Sequence, residues 1–488
     1  MKNPPAKIFT ALSALALAGC ATLPIENEVR DQRAGFATVA SRTKQATGKD
    51  VVWIQTREQA NGLAVRTRNL IYKRTVTADT AVQVALLNNK GLQAAYADIG
   101  LSSAEVWQET MPVNPTMSVG FMEFGATRSL EAAIVANIFA LMTRERRVAI
   151  AEARFRQAEL RAAEETLRLA ADTRRAWLRA VGAAETVRYL AKAQEAANAA
   201  SELAMELGKT GAFTKTAQAR EHALYAELAG QAAEARMTAR TSKEALTRLM
   251  GVWGNEADFT IPATLPALPK KLTVKRAIEA EALKKRVDLD VAQWELEALA
   301  RSYGLTQATR YVTDLELLAG VEFEEETAEE NGEKDKVLTS PMFEVEFVIP
   351  IFDTGKARMR KAEFSYMRSA NQLAEKAVQV RSEAREAYDR YRSSYQIARH
   401  YRDQVLPLRT LIEKESLLTY NGMITNTFEL LADTRAKVNA LMLSVSAKQN
   451  FWLAEVDLAT AVYGGGAAAG GGENAASAAA SGGEAGGH

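Results

Sequence analysis

Cysteine is almost absent from the sequence: Cys20 is the only one among 488 residues. A single cysteine excludes an internal disulfide and any cysteine-based metal cluster. Histidine is nearly as rare, because His222, His400 and His488 are the only three, and they do not form a credible metal site. Phosphate-binding glycine motifs are also missing. We therefore predict no enzyme activity, no catalytic residue, no metal and no cofactor.

An excess of either charge is also missing, since 61 basic and 60 acidic residues give a net charge of +1. Nucleic-acid binding needs a basic footprint, so we predict no nucleic-acid partner. Aromatic residues make up only 7% of the chain. Beyond the N-terminus no run of 18 apolar residues occurs. Any further membrane crossing would therefore have to use β-strands in a closed barrel.

The N-terminus has the pattern of a secretory signal over residues 1–19. Lys2 and Lys7 precede an apolar run, residues 8–18, that is too short to span a bilayer. The segment ends Leu17-Ala-Gly-Cys20, which resembles the bacterial lipobox. This resemblance implies that Cys20 is a lipid anchor and that 20–75 is a lipidated N-terminal periplasmic segment. The alternative is an ordinary signal peptide with an incidental cysteine.

Residues 76–260 form the first of two predicted repeats. Apolar residues at helical spacing predict a helix from 78 to about 112. Apolar and glycine-punctuated residues then predict a β-hairpin at about 116–142. A long helical hairpin follows over 143–250, with small apolar residues at alternating steps of three and four, and it turns at Gly211. Its first helix would be roughly 100 Å long.

A proline-rich linker, 261–272, leads to the second predicted repeat, 273–463. A β-hairpin at about 313–353 precedes a helical hairpin over 356–461. The first helix of this hairpin is predicted to cover about 356–418, and the hairpin turns at Gly422. The pair Ala151-Glu152 recurs as Ala362-Glu363, at the same separation as Gly211 from Gly422. Such duplication indicates a repeated architecture. The glycine- and alanine-rich tail, 464–488, is predicted to be disordered.

The strands of the second repeat alternate between apolar and acidic residues, as in a membrane barrel with lipid outside and water inside. The acidic residues share one parity, and we predict that they face the lumen: Glu316, Glu322, Glu324, Glu344 and Glu346. Four strands cannot close a barrel alone, whereas three chains would supply twelve. The pattern therefore predicts a homotrimer.

Three stretches carry a resemblance to a known family: the lipobox, PIFDTGKARMRKAE at 350–363, and YNGMITNTFELLADTRAKVNA at 420–440. With them the chain resembles the TolC-like outer-membrane efflux proteins. The resemblance implies a mainly α fold with a small β part, duplicated as helix, β-hairpin, long helix and helix. The trimer would form a 12-stranded transmembrane β-barrel continued by a periplasmic α-helical coiled-coil barrel.

The sequence departs from the family pattern in two places. The first-half counterpart of the strand-to-helix junction keeps only Ile138 and Phe139. At the second tip, Tyr420 lies two residues before Gly422, and Asp433 follows Ala432 instead of preceding it.

The family resemblance implies an exit duct for small molecules in a tripartite efflux system, anchored in outer-membrane lipid. Its partners would be a periplasmic adaptor protein and an inner-membrane transporter. The gate would lie near the tip turns, with these candidate residues: Arg220, Glu221, Glu429, Asp433 and Arg435. These charges could also be ordinary solvated helix residues.

An acidic lumen favours cations, such as cationic drugs or metal ions, although acids also simply keep a pore wet. Two alternatives to small-molecule efflux stay open. One is an exit duct for type I protein secretion, and the other is a periplasmic coiled-coil lipoprotein that transports nothing.

Overall fold

The structure is a computed structural model that describes residues 24–465 except 125–126, 212, 275–276, 327–335 and 423–426. The predicted signal, Cys20 and the tail beyond 465 lie outside the described residues. The chain divides into two compact units. Both are built from several separate segments, whereas the sequence predicts two successive halves.

The segment after the predicted anchor is largely helical, although its sequence has no strong hydrophobic period. Its three helices are α1 (Pro24–Val29), α2 (Phe36–Thr47) and α3 (Arg57–Ile71). Thr56 caps α3, because its side chain accepts a hydrogen bond from the Gln59 amide. Local capping therefore defines a helix that hydrophobic periodicity does not reveal.

Two helices, α4 (Ala78–Asn88) and α5 (Lys90–Thr110), stand where the sequence suggests one continuous helix from 78 to about 112. The break falls at Asn89, whose Oδ1 accepts a hydrogen bond from the Leu92 amide at 3.1 Å. Asparagine is a preferred N-cap, so it starts a new helix instead of continuing the old one.

The sheet has four strands in the order β1-β2-β3-β4, and every neighbouring pair is antiparallel. Its strands are β1 (Thr116–Phe124), β2 (Thr127–Asn137), β3 (Leu315–Glu326) and β4 (Lys336–Phe347). Both predicted hairpins are therefore present within shorter bounds than 116–142 and 313–353. Pro341 lies inside β4, which is compatible with its place on an edge strand.

The first long helix, α6 (Ile138–Lys209), is 72 residues long, about 110 Å at 1.5 Å per residue. It begins five residues before the predicted position because Asn137 Oδ1 accepts a hydrogen bond from the Ala140 amide at 2.7 Å. After the turn at Gly211, α7 (Lys215–Met250) starts at Thr214, whose side chain accepts from the Ala217 amide.

The second half continues with α8 (Ile278–Lys285) and α9 (Val287–Ala308), and after the sheet come α10 (Lys356–His400), α11 (Leu406–Asn421) and α12 (Thr427–Tyr463). Within the described residues, no helix is both long and apolar enough to cross a membrane.

A π-helical turn, Tyr401–Val405, separates α10 from α11, where the sequence predicts one unbroken helix over 356–418. Pro407 explains the interruption, since its ring crowds the carbonyl one turn earlier and its nitrogen has no hydrogen to donate. Asp403 lies in this turn, where hydrogen bonds from Arg402 and Arg399 lower the pKa of its carboxyl group to about 2.

Each unit has its own apolar core. In the first unit, Tyr96 and Phe155 are fully buried, and Tyr96 packs edge-on against Phe36 with ring centroids 5.0 Å apart. In the second unit, Trp177 lies in a large cluster with Met250 and Phe259. The Trp177 indole donates a 2.8 Å hydrogen bond to the Val76 carbonyl, so its only polar atom is satisfied inside the core.

The junction from β4 into α10 explains the Pro-Ile-Phe-Asp-x-Gly stretch. Asp353 Oδ1 accepts a 2.9 Å hydrogen bond from the Gly355 amide. Gly355 has φ +73°, and a Cβ at that position would lie 2.7 Å from the Arg310 carbonyl oxygen. The turn therefore needs a short acceptor at 353 and a residue without a side chain at 355.

We predict that Gly355→Ala destabilises the protein by about 1–3 kcal/mol, because it adds backbone strain and a clash at the same residue. Gly304→Ala is the matched control: Gly304 lies within α9, and a Cβ there meets nothing within 4 Å. The control should be neutral or stabilise by about 0.5–1 kcal/mol. Thermal unfolding followed by circular dichroism compares the two variants, and an unchanged midpoint for Gly355→Ala would contradict this explanation.

Candidate functional site

The strand register divides the sheet into an apolar face and a polar face. Residues directly opposite each other on neighbouring strands project to the same side. Met117 pairs with Ile134, Ile134 with Ala319, and Ala319 with Phe343, so this row of the sheet is entirely apolar.

The apolar face extends over all four strands, and its large side chains are exposed in the single chain. They are Met117, Val119, Phe121, Leu130, Ile134, Val321, Phe323, Phe343, Val345 and Phe347. An apolar patch of this extent is uncommon on a soluble monomer and marks a surface that contacts lipid or another chain. Charges on this face, such as the Arg128–Glu123 pair at 3.1 Å, lie at the hairpin end of the strands.

The polar face contains all five predicted lumen residues. Glu316 pairs with Glu346 and Leu318 with Glu344 across β3 and β4, and Glu322 and Glu324 share their parity. The register adds Glu131 of β2, which lies directly opposite Glu322. The sequence alone does not predict Glu131 as a lumen residue, because it does not show which side chains of β2 share a face with the acidic residues of β3. The position of Glu131 between the apolar residues Leu130 and Ala132 is the one sequence feature that points to it.

Acidic residues dominate the charge on this face, and the register adds a basic residue, Lys336, opposite Glu326 at the hairpin end of β4. Two carboxylate pairs, Glu131–Glu322 and Glu316–Glu346, stand directly opposite each other. Like charges in such positions destabilise a sheet. The arrangement therefore has a cost that folding alone does not explain, and it produces a strongly negative surface.

Both edges of the sheet are open in the single chain. Within the described residues, β1 pairs only with β2 and β4 pairs only with β3. The outer backbone groups of the two edge strands are therefore available to pair with strands of another chain.

The helical ends that contain the two predicted turns form a second candidate site, here called the tip. Gly211 has φ +76°, a conformation that favours glycine. Gly422 has φ −80° and donates its N–H to the Leu418 carbonyl, so it differs from Gly211 although the sequence suggests equivalent roles. Residues 212 and 423–426 lie outside the described residues.

The predicted gate residues Asp433 and Arg435 bond to partners that the sequence did not suggest. Asp433 accepts a hydrogen bond from Ser416 of α11. Arg435 forms an exposed ion pair with Glu227 of α7 at 3.3 Å. Lys437 of α12 similarly pairs with Glu413 of α11. These contacts connect α12 to two neighbouring helices within one chain.

The other predicted gate residues lie at different depths. Arg220 and Glu429 are exposed. Glu221 retains only 3% of its accessible surface, and its Oε2 has no hydrogen-bond partner. Burial raises the pKa of the Glu221 carboxyl group, and electrostatic interactions with Arg435 and His222 oppose that rise. The neighbouring His222 is exposed, and its Nδ1 lies 2.6 Å from Ser201 Oγ.

Glu221→Gln should stabilise the protein at pH 7–8 by about 1 kcal/mol, because a buried, unpartnered carboxylate is replaced by a neutral amide. The folded-state pKa is raised, so the ionised form is disfavoured in the folded state. The stability advantage of the variant should therefore disappear as pH falls below about 4.5, where the carboxyl group is neutral in both states.

Unfolding midpoints measured across this pH range test the prediction. Glu244→Gln, an exposed change in the same helix, is the control and should shift little at any pH. A Glu221→Gln variant that is less stable than the native chain at pH 7.5 would contradict the account.

Solved structures of membrane proteins share this fold. A membrane protein from Pseudomonas aeruginosa aligns with a TM-score of 0.68 and 17% identity, over 79% of this chain and 93% of that one. The Campylobacter jejuni CmeC outer membrane channel aligns with a TM-score of 0.63 and 16% identity, over 80% of this chain and 86% of that one. The Neisseria gonorrhoeae MtrE outer membrane channel, in its open state, aligns with a TM-score of 0.61 and 15% identity, over 82% of this chain and 89% of that one.

No protein-family model and no curated protein sequence matches the chain. The structural likeness confirms the predicted resemblance to TolC-like outer-membrane channels at the level of the fold. The two-faced sheet and the long helices therefore belong to a chain with the fold of outer-membrane channels.

Proposed function

We propose that the protein is a trimeric outer-membrane channel that serves as the exit duct of a tripartite efflux system for small molecules. The observation that carries this proposal is the sheet, which combines an exposed apolar face, an acidic opposite face and two open edges. The likeness to solved outer-membrane channels supports it. On this proposal the protein has no enzymatic role, and its contribution is a water-filled path.

The apolar face fits the hydrocarbon of a bilayer, and the acidic face fits a water-filled lumen. A strand that crosses a membrane cannot leave its backbone groups unpaired. Pairing β4 of one copy with β1 of the next satisfies both edges, and three copies close a ring of twelve strands. The long helices would continue from this barrel as a periplasmic coiled-coil barrel, because a lone helix of this length cannot bury its apolar seam.

The remaining parts of the proposal concern the surroundings of the channel. Cys20 would carry lipid and anchor the chain to the outer membrane. A periplasmic adaptor protein and an inner-membrane transporter would deliver substrate, since the chain contains no recognisable motif for using an energy source. The two halves of the chain, 76–260 and 273–463, would be an internal duplication.

The acidic face gives the lumen a preference for cations. In a trimer each carboxylate of this face is present three times, which creates rings of negative charge. We therefore propose that small cations pass more readily than anions and that cationic drugs or metal ions are among the transported substrates.

We predict a cation-selective current from the purified protein in a planar bilayer. Glu322→Gln should move the reversal potential in a salt gradient towards zero, because it removes charge from the polar face beside Glu131. Glu325→Gln is the matched control, since it removes the same charge from the opposite face of the same strand. It should change the reversal potential less.

Three outcomes of this experiment are informative. An anion-selective pore would preserve the channel but contradict the assignment of the acidic face to the lumen. An equal effect of the two variants would contradict the same assignment. The absence of any trimer and any current would contradict the channel proposal itself and favour a non-transporting envelope protein.

The tip contacts provide a second prediction, because Arg435–Glu227 and Asp433–Ser416 hold α12 against its neighbours. Exposed ion pairs contribute up to about 1 kcal/mol, so losing one should favour an open tip by at most about fivefold per chain. We expect Asp433→Ala and Arg435→Ala to raise the resting conductance, whereas Arg240→Ala, an exposed change in α7, should not. Equal conductance in all of these variants would exclude these residues as gate contacts.

A further inference from the structure

A buried glutamate occupies an apolar seam position at the tip. The residues of α7 that face its neighbours follow helical spacing: Glu221, Leu224, Leu228 and Ala232 are all buried. Leu224, Leu228 and Ala232 belong to an apolar cluster with Leu190 and Ala197 of α6. Glu221 continues this row by one turn, where the pattern calls for an apolar residue.

Glu221 also forms part of the wall of a cavity of about 290 Å³ between the four helices of the tip. The wall is otherwise mainly apolar. Alanines and leucines of α6, including Ala200 and Leu203, form one side, and the rings of Phe213 and Tyr420 contribute further apolar surface.

The charged groups around Glu221 leave its carboxylate without a hydrogen-bonding partner at Oε2. Arg435 of α12 acts on it through space but pairs with Glu227. Glu413 of α11 also lines the cavity and is held by Lys437. His222 of α7 is exposed and bonded to Ser201 of α6.

A buried carboxylate in this position destabilises the fold. No hydrogen bond at Oε2 offsets that cost. Positions that break a local folding rule without a compensating contact are expected at functional sites. A cationic group placed in the cavity would supply the missing partner in surroundings where charge-assisted hydrogen bonds are strong.

We propose that the tip cavity binds a small organic cation, with its ammonium group on Glu221 and its apolar body against Leu203, Phe213 and Tyr420. This goes beyond the proposed channel function, which needs no binding site along the path. The cavity volume lies near the lower end of the usual range for ligand pockets, roughly 300–1,000 Å³. A body of one or two rings therefore fits, and a folded polypeptide does not.

The test uses the full chain in lipid nanodiscs and two probes of the same shape, naphthylmethylamine and naphthylmethanol. Isothermal titration calorimetry measures the Kd of each probe for the native chain, Glu221→Gln and Glu244→Gln. We expect the amine to bind the native chain and Glu244→Gln equally. Glu221→Gln should weaken its binding about tenfold or more, because the charge-assisted contact is lost. The alcohol should bind weakly and equally to all three proteins.

A second pair of variants tests the cavity without touching the carboxylate. Ala200→Leu fills the cavity wall and should abolish binding of the amine, whereas Ala199→Leu, on the exposed neighbour, should leave it unchanged. Lowering the pH below about 4.5 should also weaken binding, because protonation of Glu221 removes the negative charge that attracts the ammonium group.

Equal binding of the amine and the alcohol, or unchanged binding of the amine to Glu221→Gln, would overturn the proposal. Equal binding of the amine to Ala200→Leu and Ala199→Leu would also overturn the proposal. Bilayer conductance is measured separately, so a channel that conducts but does not bind the amine would refute only this inference.

Discussion

The four-stranded sheet is the feature on which the rest of the structure depends. The single chain leaves the backbone groups at the sheet edges and the apolar side chains of one face exposed. Open edges on β1 and β4 must pair with other strands, and the face that contains Phe121, Phe323 and Phe343 must leave water. On the proposed function, a bilayer and further copies of the chain would satisfy both requirements at once. The acidic face would then line the interior, where opposed carboxylates such as Glu131 and Glu322 would be hydrated. The proposal thus derives membrane insertion, assembly and cation preference from the same sheet.

The long helices of the two halves of the chain differ in how regular they are. The 72 residues of α6 run without interruption, whereas its counterpart in the second half is broken by the π-helical turn before Pro407. At the tip, the turns also differ, since Gly211 needs a left-handed conformation and Gly422 does not. The tip also contains Glu221, the buried acid that the packing does not explain. The two halves, which the sequence predicts to be repeats, therefore differ in local structure.

Much of the fold could be predicted from periodicity. The alternation in β3 and β4 predicted both strands and the shared face of Glu316 and Glu346, which the register confirms. The ends of the helices were harder to predict, because side-chain caps decide them. Asn89 divides one expected helix, and Asn137 starts another earlier than expected. Glu131 required the register of β2 against β3. The partners of Asp433 and Arg435, Ser416 and Glu227, lie on other helices, and no spacing along the chain reveals them.

On the proposed function, copies of this chain close the sheet by pairing β4 of one copy with β1 of the next. The most direct measurement is cross-linking with a short thiol reagent between cysteines introduced on the two edge strands, starting with Phe121→Cys and Phe343→Cys. The native chain, whose only cysteine is Cys20, is the control. If three copies close the ring, covalent products should increase to three chains and stop there. Products confined to single chains, or a ladder that continues beyond three, would contradict it.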